Sequence, residues 1–158
     1  MLQSLTAGGT TGFVPLMLTL CLTAILVAIG VIDLRSLRIP DALTLPLIVA
    51  GLVLSLLLPG WQSANHLIGA GAGFLLLAMI GEVYFRKRGI EGLGLGDAKL
   101  FAAAGAWLGW QGLPQVLLIA AVGGIVQALV LNGGRRDVPQ AFGPWLALGF
   151  WLVWVWRL

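Results

Sequence analysis

Residues 13 to 38 read FVPLMLTLCLTAILVAIGVIDLRSLR: an uncharged apolar run from Phe13 to Ile32, then Asp33, Arg35 and Arg38 in quick succession. A run of about 20 apolar residues is long enough to cross the hydrocarbon core as a helix, with its backbone groups bonded internally. The charges that follow mark where the chain leaves the bilayer. Working outward from this stretch, apolar runs recur at roughly 42 to 58, 66 to 85, 98 to 113, 114 to 131 and 141 to 156. The pattern predicts an all-α fold, a polytopic membrane bundle of about six transmembrane helices. Composition agrees: of 158 residues, 59% are hydrophobic and 9% charged, against about 25% charged in a soluble domain. The connectors are short, so residues 1–158 read as a single transmembrane domain with no room for a soluble catalytic one. Any chemistry falls to the few ionisable side chains.

The basic residues set the expected orientation. Connectors one, three and five carry Arg35 and Arg38; Arg86, Lys87, Arg88 and Lys99; and Arg135 and Arg136, and the second and fourth carry none. Lys and Arg accumulate in cytoplasmic loops, which puts the odd connectors in the cytoplasm and both termini outward; Arg157 alone dissents. The net charge of +3 is therefore a topology signal and not a nucleic-acid-binding face. Trp61 and Trp110 mark the outer turns. Small residues crowd spans three to five, as in Gly69-Ala70-Gly71-Ala72-Gly73 and Ala102-Ala103-Ala104-Gly105, and would let helix backbones approach closely.

Most nucleophile and metal strategies fail on the inventory. The lone Cys21 excludes an internal disulfide and a multi-cysteine zinc site, has no histidine beside it, and reads as a small packing residue. A zinc peptidase needs two ligands in an HExxH pattern, but the sole histidine is His66, read as an interfacial residue opening span three. A Ser36–Lys99 pair shares the cytoplasmic side and stays as a minor alternative. Two carboxylates remain: Asp33 closes span one and Asp97 opens span four, both at cytoplasmic helix ends. Close carboxylates in a low-dielectric site tend to share one proton, so one acts as base and the other as acid. Either aspartate alone could simply cap a helix or face water. Gly92, Gly94 and Gly96 before Asp97 permit unusual backbone conformations and close approach of a substrate strand; with no βαβ unit around them, they do not read as a dinucleotide loop.

These residues resemble a known family. Gly94-Leu95-Gly96-Asp97-Ala98-Lys99-Leu100 is similar to the GxGDxKL block of type IV prepilin peptidases. Ile32-Asp33-Leu34-Arg35-Ser36-Leu37-Arg38-Ile39-Pro40-Asp41 looks like that family's first aspartate block, and Phe142-Gly143-Pro144-Trp145-Leu146-Ala147-Leu148-Gly149 its late FGPxLALG stretch. The resemblance implies an aspartic endopeptidase of the bacterial inner membrane that faces the cytoplasm. Its substrates would be type IV prepilins or type II secretion pseudopilins, from which it removes the short basic leader. It implies Asp33 and Asp97 as the catalytic pair and no cofactor or metal. Pro40, Gly94, Gly96, Lys99, Gly143 and Pro144 would bind substrate or support the pair. Many members also carry a methyltransferase region with paired cysteines; with one cysteine, this chain is expected to be a short form that does not methylate.

The other acids take lesser roles. Asp41 reads as an N-terminal cap of span two. Glu82 and Glu91 read as solvated or snorkelling groups, with the leader's charges as a less favoured partner, and Asp137 is not promoted to catalysis. Lys99 either biases the ionisation of Asp97 or marks the interface. The segment from Pro139 to Pro144 holds two more residues between its prolines than the family's usual form. Residues Arg86 to Gly96 are expected to supply backbone that covers or pairs with an unwound substrate. The alternatives are another aspartyl membrane peptidase, such as a lipoprotein signal peptidase, and a small proton or cation transporter subunit.

Overall fold

The computed structural model describes residues 13–58, 60–89, 94–130 and 141–157. Among them the chain forms α1 (Phe13–Ser36), α2 (Asp41–Leu57), α3 (Ser63–Arg88), α4 (Leu95–Leu108), a 3₁₀ turn (Trp110–Gly112), α5 (Leu113–Val130) and α6 (Gly143–Trp156). The expected helical membrane bundle is thus the observed architecture. Three segments are long and apolar enough to cross a bilayer, Pro15–Ser36, Ser63–Lys87 and Trp110–Val130, and α2 and α6 are shorter apolar helices.

α4 is the central post. It packs against α2, α3, α5 and α6, and every residue from Leu100 to Leu108 is buried. Without a hydrophobic drive between helices in lipid, close packing of small residues holds them together, and the glycines show how close. A Cβ built on Gly105 would lie 2.1 Å from Gly69 O, and one on Gly73 would lie 2.9 Å from Phe101 O. Trp107 lies over Gly51, where a Cβ would come within 2.5 Å of its ring, and its Nε1 donates to Leu47 O at 2.8 Å. The expectation of close backbone approach holds at these contacts.

α1 and α6 run antiparallel, as their bonds record in order. Gly143 N donates to Asp33 Oδ2, Trp151 Nε1 to Thr23 Oγ1 and Trp154 Nε1 to Thr19 Oγ1. The start of α1 and the end of α6 therefore lie at the end of the bundle away from Asp33.

Span four differs from the expectation of 98 to 113. α4 stops at Leu108 because Gly109 adopts φ +71 with ψ 170, a backbone conformation that only glycine adopts readily. With 14 residues α4 is roughly 21 Å long, shorter than the ~30 Å hydrocarbon core, so its last carbonyls need partners within the protein. His66 Nδ1 bonds Ala106 O at 2.9 Å and Arg157 Nη1 donates to Leu108 O at 2.7 Å. Arg157, the dissenting charge, is thus a helix-end ligand at the end opposite Asp33. His66 opens α3 but is buried, stacked on Trp61 with ring centroids 4.7 Å apart. Cys21, expected to pack inside, is exposed on α1.

Candidate active site

α1 ends in a tight reversal. Leu37 N donates to Asp33 O at 2.8 Å and Leu37 takes φ +52, an uncommon conformation for a branched side chain. Pro40 then favours an extended residue before it and stands as the N-cap of α2. The result is that Ile39 tucks inward beneath the end of α1, and it is buried. It touches two of the motif glycines: a Cβ on Gly96 would lie 2.9 Å from Ile39 Cβ, and one on Gly143 would lie 2.9 Å from Ile39 Cδ1. Ile39 is where the three sequence blocks meet.

Asp33 is 5% exposed. Its Oδ2 accepts the Gly143 N–H at 3.0 Å, from the first residue of α6, where helical N–H groups lack intrahelical partners. A Cβ on Gly143 would stand 2.7 Å from that oxygen and 2.9 Å from Ile39 Cδ1, so a side chain there would force Asp33 or Ile39 to shift. Asp97 sits in the first turn of α4, and its Oδ2 accepts the Gly94 N–H at 3.2 Å, the carboxylate half of a capping box. Its other oxygen, Oδ1, is buried and has no hydrogen-bond partner among the described residues. The two aspartates, 64 positions apart in the chain, lie at the same end of the bundle, because Gly143, which binds Asp33, and Gly96, which precedes Asp97, both pack on Ile39. Buried acceptors without partners are rare in folded proteins and often mark chemistry.

The supporting residues divide. Gly96 is needed for its contact with Ile39, whereas Gly94 is not conformationally special: its φ −77 and ψ 153 suit any residue, and a Cβ would make ordinary contact with Asp97 at 3.7 Å. Lys99 has a partner neither expectation named: its Nζ donates to both oxygens of Asp41 at 2.7 Å. Asp41 therefore is not the cap of α2, whose N-cap is Pro40 with no side-chain bond. The same pairing corrects the Ser36–Lys99 alternative, since Ser36 Oγ donates to Ile32 O at 2.8 Å. Glu82 forms an exposed pair with Arg86 at 2.7 Å. Glu91, Gly92, Asp137, Pro139 and Gln140 lie outside the described residues. Among those described, no three His, Cys, Asp or Glu side chains gather as metal ligands would. Sequence reasoning missed Ile39 and the Asp41–Lys99 pair; the extended residue forced by Pro40 was the available signal for the first.

A bundle of apolar helices carrying two carboxylates at one end, each held by a backbone N–H from a glycine, defines a class: a polytopic membrane protein with a paired-acid site. The chain belongs to the type IV leader peptidase family, whose family model matches residues 8–129 and so contains both aspartates. Among similar proteins is the prepilin leader peptidase/N-methyltransferase of Pectobacterium carotovorum subsp. carotovorum, 44% identical over 133 residues, covering 82% of this chain and 48% of that protein. The protein of the same name from Burkholderia pseudomallei (strain 1026b) is 48% identical over 135 residues, covering 81% and 42%. That from Escherichia coli (strain K12) is 47% identical over 123 residues, covering 77% and 55%. The chain spans about half the length of these relatives. No solved structure matches it.

Proposed function

We propose that this chain is an intramembrane aspartic endopeptidase that removes the short basic leader from prepilins or pseudopilins, with Asp33 and Asp97 as its catalytic pair. The observation that carries the reading is that both aspartates lie at one end of the bundle, each with one carboxyl oxygen held by a backbone N–H, while Asp97 Oδ1 has no hydrogen-bond partner among the described residues. The ionised member takes a proton from water as the water oxygen attacks the scissile carbonyl carbon. The protonated member gives its proton to the carbonyl oxygen, which yields a neutral tetrahedral diol. Breakdown of that diol sends a proton to the departing nitrogen and restores one shared proton to the pair.

The proposed setting is the bacterial inner membrane with the site toward the cytoplasm, because Arg35, Arg38 and Lys99 lie on the segments that carry the aspartates and Arg157 lies at the other end. Residues 1–158 act as one transmembrane domain, and the substrate and the bilayer are its partners. Relatives named for prepilin leader cleavage favour this substrate class over a lipoprotein precursor. Incubation of the membrane-inserted protein with a prepilin panel, followed by mass measurement, tests it. Wild type releases a leader, and Asp33→Asn or Asp97→Asn each lowers turnover by at least ~10³-fold with insertion intact; leader release by either variant ends the assignment.

A further inference from the structure

A groove of about 420 Å³ lies between α1 and α6, and nothing in the chemistry above uses it. One wall is built by Leu26, Val27, Gly30 and Leu34, the other by Pro144, Leu148 and Trp151. The polar atoms along it are already engaged: Trp151 Nε1 donates to Thr23 Oγ1 at 2.9 Å, and that hydroxyl donates to Thr19 O at 2.6 Å. What faces outward is apolar, with Val27 59% and Leu34 60% exposed.

Two features say what the groove receives. One is continuity with the carboxylates, because Leu34 follows Asp33 and Pro144 follows Gly143, the residue that holds Asp33 Oδ2. From there the groove runs back along α1 to Thr23, roughly 16 Å at 1.5 Å per residue, or about three helical turns. The other is Gly30. A Cβ there would meet nothing nearer than Pro144 Cα at 3.8 Å, an ordinary contact. The packing of α1 on α6 thus does not demand glycine, and a residue without a side chain at this point keeps the floor of the groove low where a visiting helix would lie.

We propose that this groove receives the apolar segment of the substrate as a helix of about three turns, its cleaved end beside Asp33. The proposal rests on the reading of the site as a prepilin peptidase. A bond held at the two aspartates leaves the basic leader on the aqueous side, and the apolar remainder has to continue into the bilayer from that point. The groove begins there and opens to lipid along its length, so the helix enters sideways and crosses no polar barrier. The recognised feature is an apolar helical stretch and not a particular side chain.

The test uses the full chain in proteoliposomes with a prepilin substrate. Gly30→Phe fills the groove and raises KM about tenfold with kcat within about twofold. A photoreactive side chain at Val27, in the Asp97→Asn background, crosslinks to the apolar segment of the prepilin, whereas the same probe at Val122, exposed on α5, does not. Should Gly30→Phe fail to insert, the Val27 crosslink alone decides. An unchanged KM in an inserted Gly30→Phe protein, or Val27 adducts with lipid only, overturns the groove and leaves the peptidase reading standing if wild type still cuts. A wild type that cuts no prepilin removes both.

Discussion

The site depends on a few atoms without room to spare. Gly143 sits between Asp33 and Ile39, so an added methyl group would displace one of them. Gly143→Ala is therefore expected to lower kcat by about 10- to 100-fold with a smaller effect on KM, because a misplacement of about 1 Å at a reacting group costs rate. Cleavage kinetics with a prepilin check this, and wild-type kcat would show that the Gly143 contact is irrelevant. The Asp41–Lys99 pair is a milder case. Its side chains are 56% and 25% exposed, so screening limits the pair to about 1 kcal/mol or less. Asp41→Asn and Lys99→Met should each lower the unfolding midpoint slightly, and the double variant should lose less than the sum of the two. Strict additivity in denaturation would show that the pair contributes nothing. The aspartates were legible in the sequence because few carboxylates exist in so apolar a chain. The Lys99 contact was not, since its partner is 58 residues distant and a lysine two positions from an aspartate suggests a local role first.

At the scale of elements, glycines of identical appearance in sequence do different work. Gly69, Gly71 and Gly73 alternate along α3, yet a Cβ on Gly69 would lie 2.6 Å from Gly105 O and one on Gly71 would meet nothing within 4 Å. Gly105→Ala has the same problem from the other side, against backbone that cannot rotate away. It should destabilise the bundle by about 1–3 kcal/mol through overpacking, whereas Gly71→Ala should be neutral or slightly stabilising from helix propensity. Thermal unfolding in one detergent ranks the two, and equal midpoints would contradict the α3–α4 packing. The small-residue pattern announced close approach without saying which positions make it, because that depends on the rotation of each helix. Hydropathy likewise located span four but misplaced its end. Leu108 and Leu113 are both apolar and buried, and the break between them is a backbone event at Gly109 that hydropathy does not register.

For the whole molecule, the order of spans does the decisive work. α1 descends to Asp33, and two crossings later, through α2 and α3, α4 starts from the same end, so topology alone returns Asp97 to the level of Asp33. Lateral neighbourhood was not legible: that α6 lies between α1 and α5, and so brings Gly143 to Asp33, follows from packing. The same topology separates Ser36, the last residue of α1, from Gln111, just beyond α4, at opposite ends of the bundle, and both are exposed. If Arg35, Arg38 and Lys99 mark the cytoplasmic side, a cysteine at Ser36 in a Cys21→Ser background should react with a membrane-impermeant reagent only from the cytoplasmic face of sealed vesicles. A cysteine at Gln111 should react only from the other. Labelling of both from one face would contradict the bundle itself, while a clean exchange of faces would leave the site intact and deny it a cytoplasmic leader. The sidedness of two surface positions thus separates what the fold supports from what the charge pattern adds.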